Sequence, residues 1–325
     1  MNKNSLLITT VIAALLISSI VLLKRRGAPE HYEHGPRFKI GIIQTASHPA
    51  LDAVREGFVE RIQETLGTNV EFVVNNAQGS IADAHTIAKR MHADTSINAV
   101  LAIATPAAQA IAQVEKEKPI IIAAVTDPQA AGLMRNTNIC GSSDMIDLEA
   151  EITMLQELAP AARTIGLIYN TAEINAVTQI KLMQQILTDH GLTPILFGFT
   201  SEADMPAMVT TACQKSDALL APNDNTIASS IKLIAVQALQ KQKSLFVCDN
   251  LLIQHGALAS RGINYHEGGK QAAEKALLVL VKGKKPNELP MDKPIIDTRV
   301  INKKVAQTLQ ITIPTTSKDK IEFVE

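Results

Sequence analysis

The chain has 325 residues, of which 46% are hydrophobic and 19% are charged. This composition excludes a disordered chain and leaves room for two domains of ordinary size. With 31 basic and 32 acidic residues the formal net charge is -1, so no basic excess is present to hold a nucleic acid, and we expect no nucleic-acid partner. The three cysteines are too few and too widely spaced for a disulfide framework or a zinc site, and we predict no bound metal.

An apolar stretch without a charged residue runs from Leu6 to Leu23. It is long enough to enter a membrane. We favour an uncleaved anchor, because the stretch is longer than the apolar part of a signal peptide and has no Ala-x-Ala-like cleavage site, but a cleaved signal stays open. The basic cluster 24–26 would keep the following residues in the cytoplasm, so charge alone argues against export. Residues 1–30 are thus predicted to be a membrane anchor or signal segment, and residues 31–37 a linker.

From Phe38 onwards, short apolar runs alternate with longer segments of helical periodicity. The first half reads FKIGIIQ, PALDAVREGFVERIQETLG, VEFVVN, IADAHTIAKRMHA, AVLAIA, PAAQAIAQVEKE and PIIIAAV. Helix-start signals agree with this division, since Pro49 and Pro106 suit first turns and Ser80 suits an N-cap. Strands that alternate with helices predict a parallel sheet with helices on both faces.

A second α/β unit follows a helix predicted near Asp147 to Leu158. It starts at TIGLIY and continues to SLFVCDN. A late strand, a helix over GGKQAAEKALLVLVKG and a last strand around IIDTRVI are too few for a third domain and are expected to complete the first two. The predicted fold class is therefore α/β, with two doubly wound parallel-sheet units.

Polar residues follow the predicted strands at their carboxyl ends, which is where open parallel sheets bind ligands. They are Gln44, Ser47, His48, Thr105, Thr126, Asp127, Asn170, Asn223, Asp224, Asn225 and Asp249. Neutral amides and hydroxyls outnumber charges, which suits hydrogen bonding to a small polar ligand better than covalent chemistry. Any one of them can equally be a helix cap or a turn residue. Their occurrence at matching strand ends in both halves favours a ligand site.

The residue types at these strand ends indicate an amino-acid-like zwitterion. The helix N-termini after Ser47 and Thr105 offer N–H donors to a carboxylate, and Asp127, Asp224 and Asp249 offer acceptors to an ammonium group. Aromatic residues make up only 3% of the chain, which argues against a sugar that stacks on rings. The motifs GxxxxGK[ST], HExxH and GxSxG are absent, and no GxGxxG follows the first strand. We therefore predict no catalytic residue, no cofactor and no enzymatic activity.

Six phrases in order carry a resemblance to a known family. They are QTASHPALDAVREGF at 44–58, ATPAAQAIA at 104–112, AAVTDPQAAGL at 123–133, IGLIYNTAEINAVTQ at 165–179, LLAPNDNTIASS at 219–230 and GALASRGINYHEGG at 256–269. From Phe38 to Pro314 the chain resembles the ABC-transporter substrate-binding family that includes proposed tryptophan/tyrosine binders, within the type I periplasmic-binding-protein superfamily. The family often has Ser after the Asn of the INA segment. Here Asn175 is followed by Ala176, so a hydroxyl contact is lost and the ligand stays open.

The resemblance implies two lobes, joined by three hinge crossings, that close on a ligand, with Asn175 among the binding residues. The implied lobes are residues 38–145 with 263–292 and residues 146–262 with 293–318, and residues 319–325 are expected to form a loose tail. It also implies delivery to a membrane permease with a separate ATPase. The place of action is then the periplasmic or extracytoplasmic face of the cytoplasmic membrane. A ligand-sensing ectodomain of a signalling complex, or an enzyme on a similar two-lobed frame, are the alternatives.

Overall fold

The computed structural model describes residues 37–294, 298–314 and 321–325. The membrane segment predicted over residues 1–30 lies outside the described residues, as does the linker except for its last residue. Within the described ranges, no helix combines the length and the apolar character needed to cross a membrane.

The first sheet contains five described strands, and all its neighbouring strands are parallel. Their spatial order is β2 (Val70–Asn76), β1 (Phe38–Gln44), β3 (Ala99–Ile103), β4 (Ile120–Val125) and β5 (Ile139–Ser143). The connecting helices are α1 (Pro49–Leu66), α2 (Ile81–Ala93) and α3 (Thr105–Val114). Strands β3 and β4 are buried along their whole length, because helices cover both faces of a doubly wound sheet. The order reverses between β1 and β3, which is the switch point where such sheets bind ligands.

The second sheet repeats this order and extends it by two strands. Its spatial order is β12 (Ile321–Val324), β11 (Arg299–Asn302), β10 (Ala259–Ser260), β9 (Ser244–Val247), β8 (Ala218–Ala221), β6 (Thr164–Asn170) and β7 (Thr193–Phe199). All described neighbours are parallel except β10 and β11, so the sheet is mixed where a parallel sheet was predicted. Its switch point lies between β6 and β8.

The remaining α-helices among the described residues follow β5 in the chain. They are α4 (Leu148–Leu158), α5 (Ile174–Asp189), α6 (Met205–Lys215), α7 (Asn225–Ser229), α8 (Ile231–Gln240), α9 (Tyr265–Leu280) and α10 (Lys303–Thr308). Helix α9 packs against α1, β4 and β5, so it belongs with the first sheet although the second sheet precedes it in the chain. We call the first sheet with α1, α2, α3 and α9 the first lobe, and the second sheet with its other helices the second lobe.

The packing of α9 on α1 requires glycine at two positions. A Cβ atom on Gly57 would lie 2.1 Å from the carbonyl oxygen of His266. On the facing helix, a Cβ atom on Gly269 would lie 2.1 Å from the carbonyl oxygen of Val54. Real Cβ atoms do not approach a backbone oxygen so closely, so each glycine lets the two helix backbones touch.

The chain changes lobes three times. It passes from β5 to α4, from β10 to α9, and from Asp292 to β11. Asp292 still pairs with β5, since its N–H donates to the Gly141 carbonyl at 3.0 Å and its carbonyl accepts the Ser143 N–H at 2.9 Å. The first and third crossings therefore lie side by side at the carboxyl end of β5. The second crossing ends at Tyr265, whose hydroxyl donates to Asp144 Oδ2 beside them at 3.3 Å.

The expected loose tail is wrong for its last residues. Strand β12 pairs in parallel with β11 along four residues, and the Lys303 ammonium lies 4.5 Å from the centroid of the Phe323 ring. The charge of the segment concealed an apolar set, because Ile321, Phe323 and Val324 are enough for a short edge strand beside a buried one.

Candidate ligand-binding site

The carboxyl ends of the two sheets meet at a cleft that contains two cavities. The outer cavity has a volume of about 390 Å³, and the inner cavity has a volume of about 30 Å³. Asn225 lines both cavities, so they adjoin. The outer cavity is lined by Thr45, Ala46, Ser47, Gln78, Gly79, Ile81 and Pro106 of the first lobe, and by Asn170, Ala172, Glu173, Thr200, Ser201, Glu202, Asn225, Thr226 and Ser229 of the second. Both switch points therefore contribute to one cleft.

The loop after β1 forms the first-lobe wall of the outer cavity and is held by Gln44. The Gln44 amide nitrogen donates to the Ala46 carbonyl at 2.7 Å and to Asp52 Oδ1 at 2.8 Å, and its oxygen accepts from Arg55 Nη1 at 2.8 Å. Ser47 donates to the other Asp52 oxygen at 2.8 Å. Gln44 lines neither cavity and supports the loop, whereas Ser47 lines the outer cavity.

His48 connects the two lobes from the N-cap position of α1. Its Nε2 lies 3.3 Å from the side-chain oxygen of Asn225, whose amide nitrogen donates to Glu173. The Asn225 oxygen can only accept, so His48 Nε2 carries the proton. Burial lowers the pKa of His48 below its ordinary value of 6.5, which favours the neutral ring. His48 Nδ1 is then an acceptor, and it is buried without a hydrogen-bond partner among the residues that the structure describes.

Glu173 organises the second-lobe wall, and it was absent from the residues predicted for the site. Its carboxylate accepts hydrogen bonds from Thr226 N–H at 3.1 Å and Thr226 hydroxyl at 3.0 Å, from the Asn225 N–H at 3.1 Å, and from Asn175 Nδ2 at 3.2 Å. This one carboxylate ties the start of α5 to the start of α7. The sequence signal was an acid just before a helix, three residues after a strand, which is also the position of an ordinary cap.

Asp224 is the N-cap of α7 and has no free oxygen. Its Oδ1 accepts the N–H groups of Thr226 at 2.9 Å and Ile227 at 3.0 Å, and its Oδ2 accepts the N–H of Asn170 at 2.6 Å. Burial, together with the neighbouring Glu173 charge, raises the pKa of Asp224 well above its ordinary value. Asp224 lines the inner cavity, but its oxygens are occupied by the backbone.

Asn170 acts in a similar way at the end of β6. Its amide nitrogen donates to the Thr226 hydroxyl at 2.9 Å, and its oxygen accepts the Ala172 N–H at 2.9 Å. It lines the outer cavity. The switch point of the second lobe is thus a fixed hydrogen-bonded platform.

The inner cavity brings together a chain of polar residues from both lobes. Asn175 donates to the Asn223 carbonyl at 2.8 Å, Asn223 donates to the Asp144 carbonyl at 3.3 Å, and the Tyr265 hydroxyl donates to Asp144 Oδ2 at 3.3 Å. Asp249 lines the same cavity and accepts a backbone N–H at 2.8 Å through Oδ1. Burial raises the pKa of Asp144 to about 6 and that of Asp249 to about 7. Asp144 was not among the residues predicted for the site.

Three other residues predicted for the ligand site differ in where they lie relative to the two cavities. Thr126 lines the inner cavity. Thr105 begins α3, is buried, and its hydroxyl has no hydrogen-bond partner among the described residues, although it lines neither cavity. Asp127 also lines neither cavity, and its Oδ1 accepts the Ala130 N–H at 2.9 Å in a local turn.

Two alanines near the cleft have left-handed backbone conformations. Ala104 has a φ of 72° just before α3, and Ala124 has a φ of 53° beside the inner cavity. Such conformations cost about 1 kcal/mol or more for a residue with a Cβ atom, and they concentrate at functional sites. Within the part of the chain that the structure covers, no group of three or more His, Cys, Asp or Glu side chains could hold a metal ion.

Comparisons with known proteins agree with this geometry. The family model for ABC transporter substrate binding proteins matches residues 39–319. The Tyrosine-binding protein of Clostridioides difficile strain R20291 is 29% identical over 294 residues, which are 88% of this chain and 84% of the relative. The ABC domain from Streptococcus pneumonia in complex with L-Trp has a TM-score of 0.83 and 33% identity, and the match covers 86% of this chain and 97% of that one.

A third relative was solved in a different state. It is the ligand-free, open structure of a substrate binding protein with adhesive properties from Clostridium difficile, with a TM-score of 0.67, 31% identity, and coverage of 89% of this chain and 99% of that one. The matches confirm the predicted two-lobed α/β fold and the prediction of a binding protein rather than an enzyme. The chain belongs to the family of ABC transporter substrate-binding proteins.

Proposed function

We propose that the protein is the amino-acid-binding component of an ABC importer and that its ligand lies in the cleft between the lobes. The observation that carries this proposal is the pair of adjoining cavities lined by polar side chains of both lobes. The outer cavity, at about 390 Å³, lies in the range of about 300–1,000 Å³ that small-molecule sites occupy. Two relatives are a Tyrosine-binding protein and a complex with L-Trp, which favours an amino acid as the ligand class.

The carboxylate of the ligand is expected to bind on the first-lobe side. Helices α1 and α3 both begin at the cleft, and helix N-termini attract anions through their free N–H groups. Ser47 and Pro106, from the loop before α1 and the first turn of α3, line the outer cavity. In this proposal Ser47, His48 and Thr126 serve the first-lobe half, and Asn170, Asn175, Asn223, Asn225 and Asp249 serve the second-lobe half. Thr105, which lines neither cavity, and Asp224, whose oxygens accept backbone N–H groups, support the site without a direct contact to the ligand.

Closure of the lobes is the expected response to ligand. The TM-score to the L-Trp complex is 0.83 and that to the open, ligand-free relative is 0.67, at similar identities of 33% and 31%. The His48–Asn225 contact joins the lobes directly and would have to break on opening. Small-angle scattering is expected to show compaction when ligand is added. An unchanged radius of gyration at saturation would contradict closure.

Isothermal titration calorimetry tests the ligand class. The protein lacking residues 1–30 is titrated with L-tyrosine, L-tryptophan, glucose and adenosine, and binding is expected only for an amino acid. The Asn225→Ala variant is expected to bind more weakly, because the side chain lines both cavities and spans the lobes. Tight binding of glucose or adenosine, with no response to either amino acid, would overturn the proposal.

Membrane tethering by Leu6–Leu23 and delivery to a permease complete the proposed function. The full-length protein is expected in the membrane fraction, and the form without residues 1–30 in the soluble fraction. Crosslinking in intact cells is expected to capture a permease. Recovery of a signalling protein instead, with no permease, would favour the ligand-sensing alternative.

A further inference from the structure

The inner cavity contains buried hydrogen-bond acceptors that have no partner among the described residues. Among the described residues that line it, the buried side-chain polar atoms without a hydrogen bond are His48 Nδ1, Asp144 Oδ1, Asn175 Oδ1 and Asn223 Oδ1. The two amide oxygens can only accept, the Asp144 oxygen accepts when the carboxyl is ionised, and the ring nitrogen accepts because the proton of His48 is on Nε2. Four converging acceptors need a partner that is rich in hydrogen-bond donors.

The orientation of the two amides is fixed by their other contacts. Asn175 Nδ2 donates to the Asn223 carbonyl at 2.8 Å and to Glu173 at 3.2 Å, and Asn223 Nδ2 donates to the Asp144 carbonyl at 3.3 Å. Exchanging nitrogen and oxygen in either amide would set an oxygen against an oxygen. The unpartnered amide atoms at the cavity are therefore oxygens, because only this orientation of the two amides satisfies their other hydrogen bonds.

The charge and the size of the inner cavity further limit which chemical group can bind in it. Three carboxyl groups, Asp144, Asp224 and Asp249, line this cavity, and no Lys or Arg is among the described residues that line it. Asp224 already accepts backbone N–H groups through both oxygens, which leaves Asp144 and Asp249. Its volume of about 30 Å³ fits one water-sized group. A water molecule would supply two O–H donors, whereas a primary ammonium supplies three N–H donors and a positive charge.

We propose that the inner cavity is the subsite for a primary ammonium group of the ligand, with Asp144 and Asp249 as its charge partners and Asn175 and Asn223 as neutral acceptors. This inference rests on the proposed function and deepens it, because it makes a free primary amine a requirement for binding. It also changes the assignment expected from the sequence. Asp127 lies outside both cavities, and Asp224 uses both oxygens on backbone N–H groups.

The subsite makes the affinity for ligand depend on pH. Burial raises the pKa of Asp144 to about 6 and of Asp249 to about 7, so the protein holds protons there that an ammonium must displace. The other titratable groups beside them are the Tyr265 hydroxyl on α9 and the Cys248 thiol after β9, whose pKa values are also raised by burial, and His48 and Asp224 in the cavity wall. Affinity is therefore expected to fall as pH decreases through about 7 and 6.

Matched ligands test the subsite by calorimetry. L-tyrosine is compared with tyramine, which keeps the ammonium and lacks the carboxylate, and with 3-(4-hydroxyphenyl)propionate, which lacks the ammonium. L-tryptophan is compared in the same way with tryptamine and indole-3-propionate. Methylammonium, as a competitor, shows whether a free cation occupies the subsite. Loss of the amine is expected to weaken binding at least about 30-fold.

The variants Asp144→Asn and Asp249→Asn are each expected to weaken amino-acid binding at least about 30-fold. Asp147→Asn is the matched control, since Asp147 is exposed, caps α4, and Asn caps a helix about as well as Asp. Circular dichroism checks that each variant folds. Should the buried variants not fold, the wild-type pH profile provides the test, with affinity about tenfold or more weaker at about pH 5.5 than at about pH 8.

The outcomes separate the two proposals. If the amino acid binds and its des-amino analogue binds equally well, the ammonium subsite is overturned and the proposed function stands. A flat affinity between those pH values also overturns the subsite. A third outcome is that neither amino acid binds, whereas methylammonium binds to the wild type and binds more weakly to Asp249→Asn. This outcome supports the subsite and contradicts the amino-acid assignment. If no probe binds, both are overturned.

Discussion

Glu151 on α4 provides a test of the structure that needs no ligand. Its side chain is fully buried, its Oε2 accepts the Arg261 N–H at 2.7 Å, and its Oε1 has no hydrogen-bond partner in the described part of the chain. Burial raises the pKa of this carboxyl from 4.5 to about 8, against the opposing effect of Arg261 and Arg299. Because Arg261 lies where the chain crosses between lobes, a protonated Glu151 lies beside the hinge.

A raised carboxyl pKa makes the folded protein less stable as pH increases. Below about pH 4.5 the carboxyl is protonated in both the folded and the unfolded chain, so it contributes no pH dependence. Between about pH 4.5 and about pH 8 the unfolded chain releases the proton and the folded chain retains it, at about 1.4 kcal/mol per pH unit. The free energy of unfolding is therefore expected to fall by about 5 kcal/mol over this range because of Glu151 alone.

Glu151→Gln isolates this effect, because the amide keeps the acceptor for Arg261 and cannot ionise. The free energy of unfolding of both proteins is measured by urea titration at several pH values, and the difference between them is compared. Costs of the amide that do not depend on pH cancel, as do the contributions of Asp144 and Asp249. Between about pH 4.5 and about pH 8, the free energy of unfolding of the variant is expected to increase by about 5 kcal/mol relative to that of the wild type.

Glu56→Gln is the control, since Glu56 is exposed on α1, and the two variants are compared with wild type over the same pH range. A pH dependence for Glu151→Gln that is no larger than that for Glu56→Gln would refute the reasoning. It would mean that the Glu151 carboxyl is ionised in the folded protein and is not buried as described.

Two further predictions concern packing. Gly269→Ala is expected to destabilise the protein by about 1–3 kcal/mol, because its Cβ would lie 2.1 Å from the Val54 carbonyl oxygen, whereas Gly268→Ala meets no atom within 4 Å and is expected to stabilise α9 by about 0.5–1 kcal/mol. Thermal unfolding of the two variants measures both effects, and equal melting temperatures would contradict the helix contact. Removal of residues 321–325 is expected to lower stability by about 1 kcal/mol or more, because β12 pairs with β11 and Val324 packs on the second-lobe core. Unchanged urea unfolding would restore the expectation of a loose tail.

The alternation of strands and helices was predictable because buried parallel strands are continuous apolar runs and their connecting helices carry capping signals. AVLAI and IIIAAV illustrate this, since β3 and β4 are buried at every position. A doubly wound sheet implies that the strand order reverses, but the place of the reversal, at β1 and β6, was not predictable, because the length of a connecting helix does not say on which side of a strand the next one lies. Strand β12 was missed because four residues are too short for a periodic signal.

The position of the site could be predicted, but the role of each residue could not. The rule that ligands bind at the carboxyl ends of parallel strands selects loops, and both cavities lie at those loops. Asp224 and Asp249 look alike in the sequence, since each follows a strand and precedes a helical turn. Only the tertiary contact of Asp224 Oδ2 with the Asn170 N–H shows that its second oxygen is occupied.

The acids of the cleft divide according to how many hydrogen-bond donors the fold supplies to their oxygens, and this division connects the fold to the ligand. Glu173 and Asp224 accept several N–H and O–H donors at the starts of α5 and α7, so the fold itself occupies their oxygens. Burial raises the pKa of Asp144, Asp224 and Asp249, but Asp144 and Asp249 have fewer donors than Asp224. The ionised form of a buried carboxyl with few donors becomes more favourable once a cation lies beside it. The first pair therefore builds the site, and the second pair leaves it incomplete until a ligand supplies the missing donors.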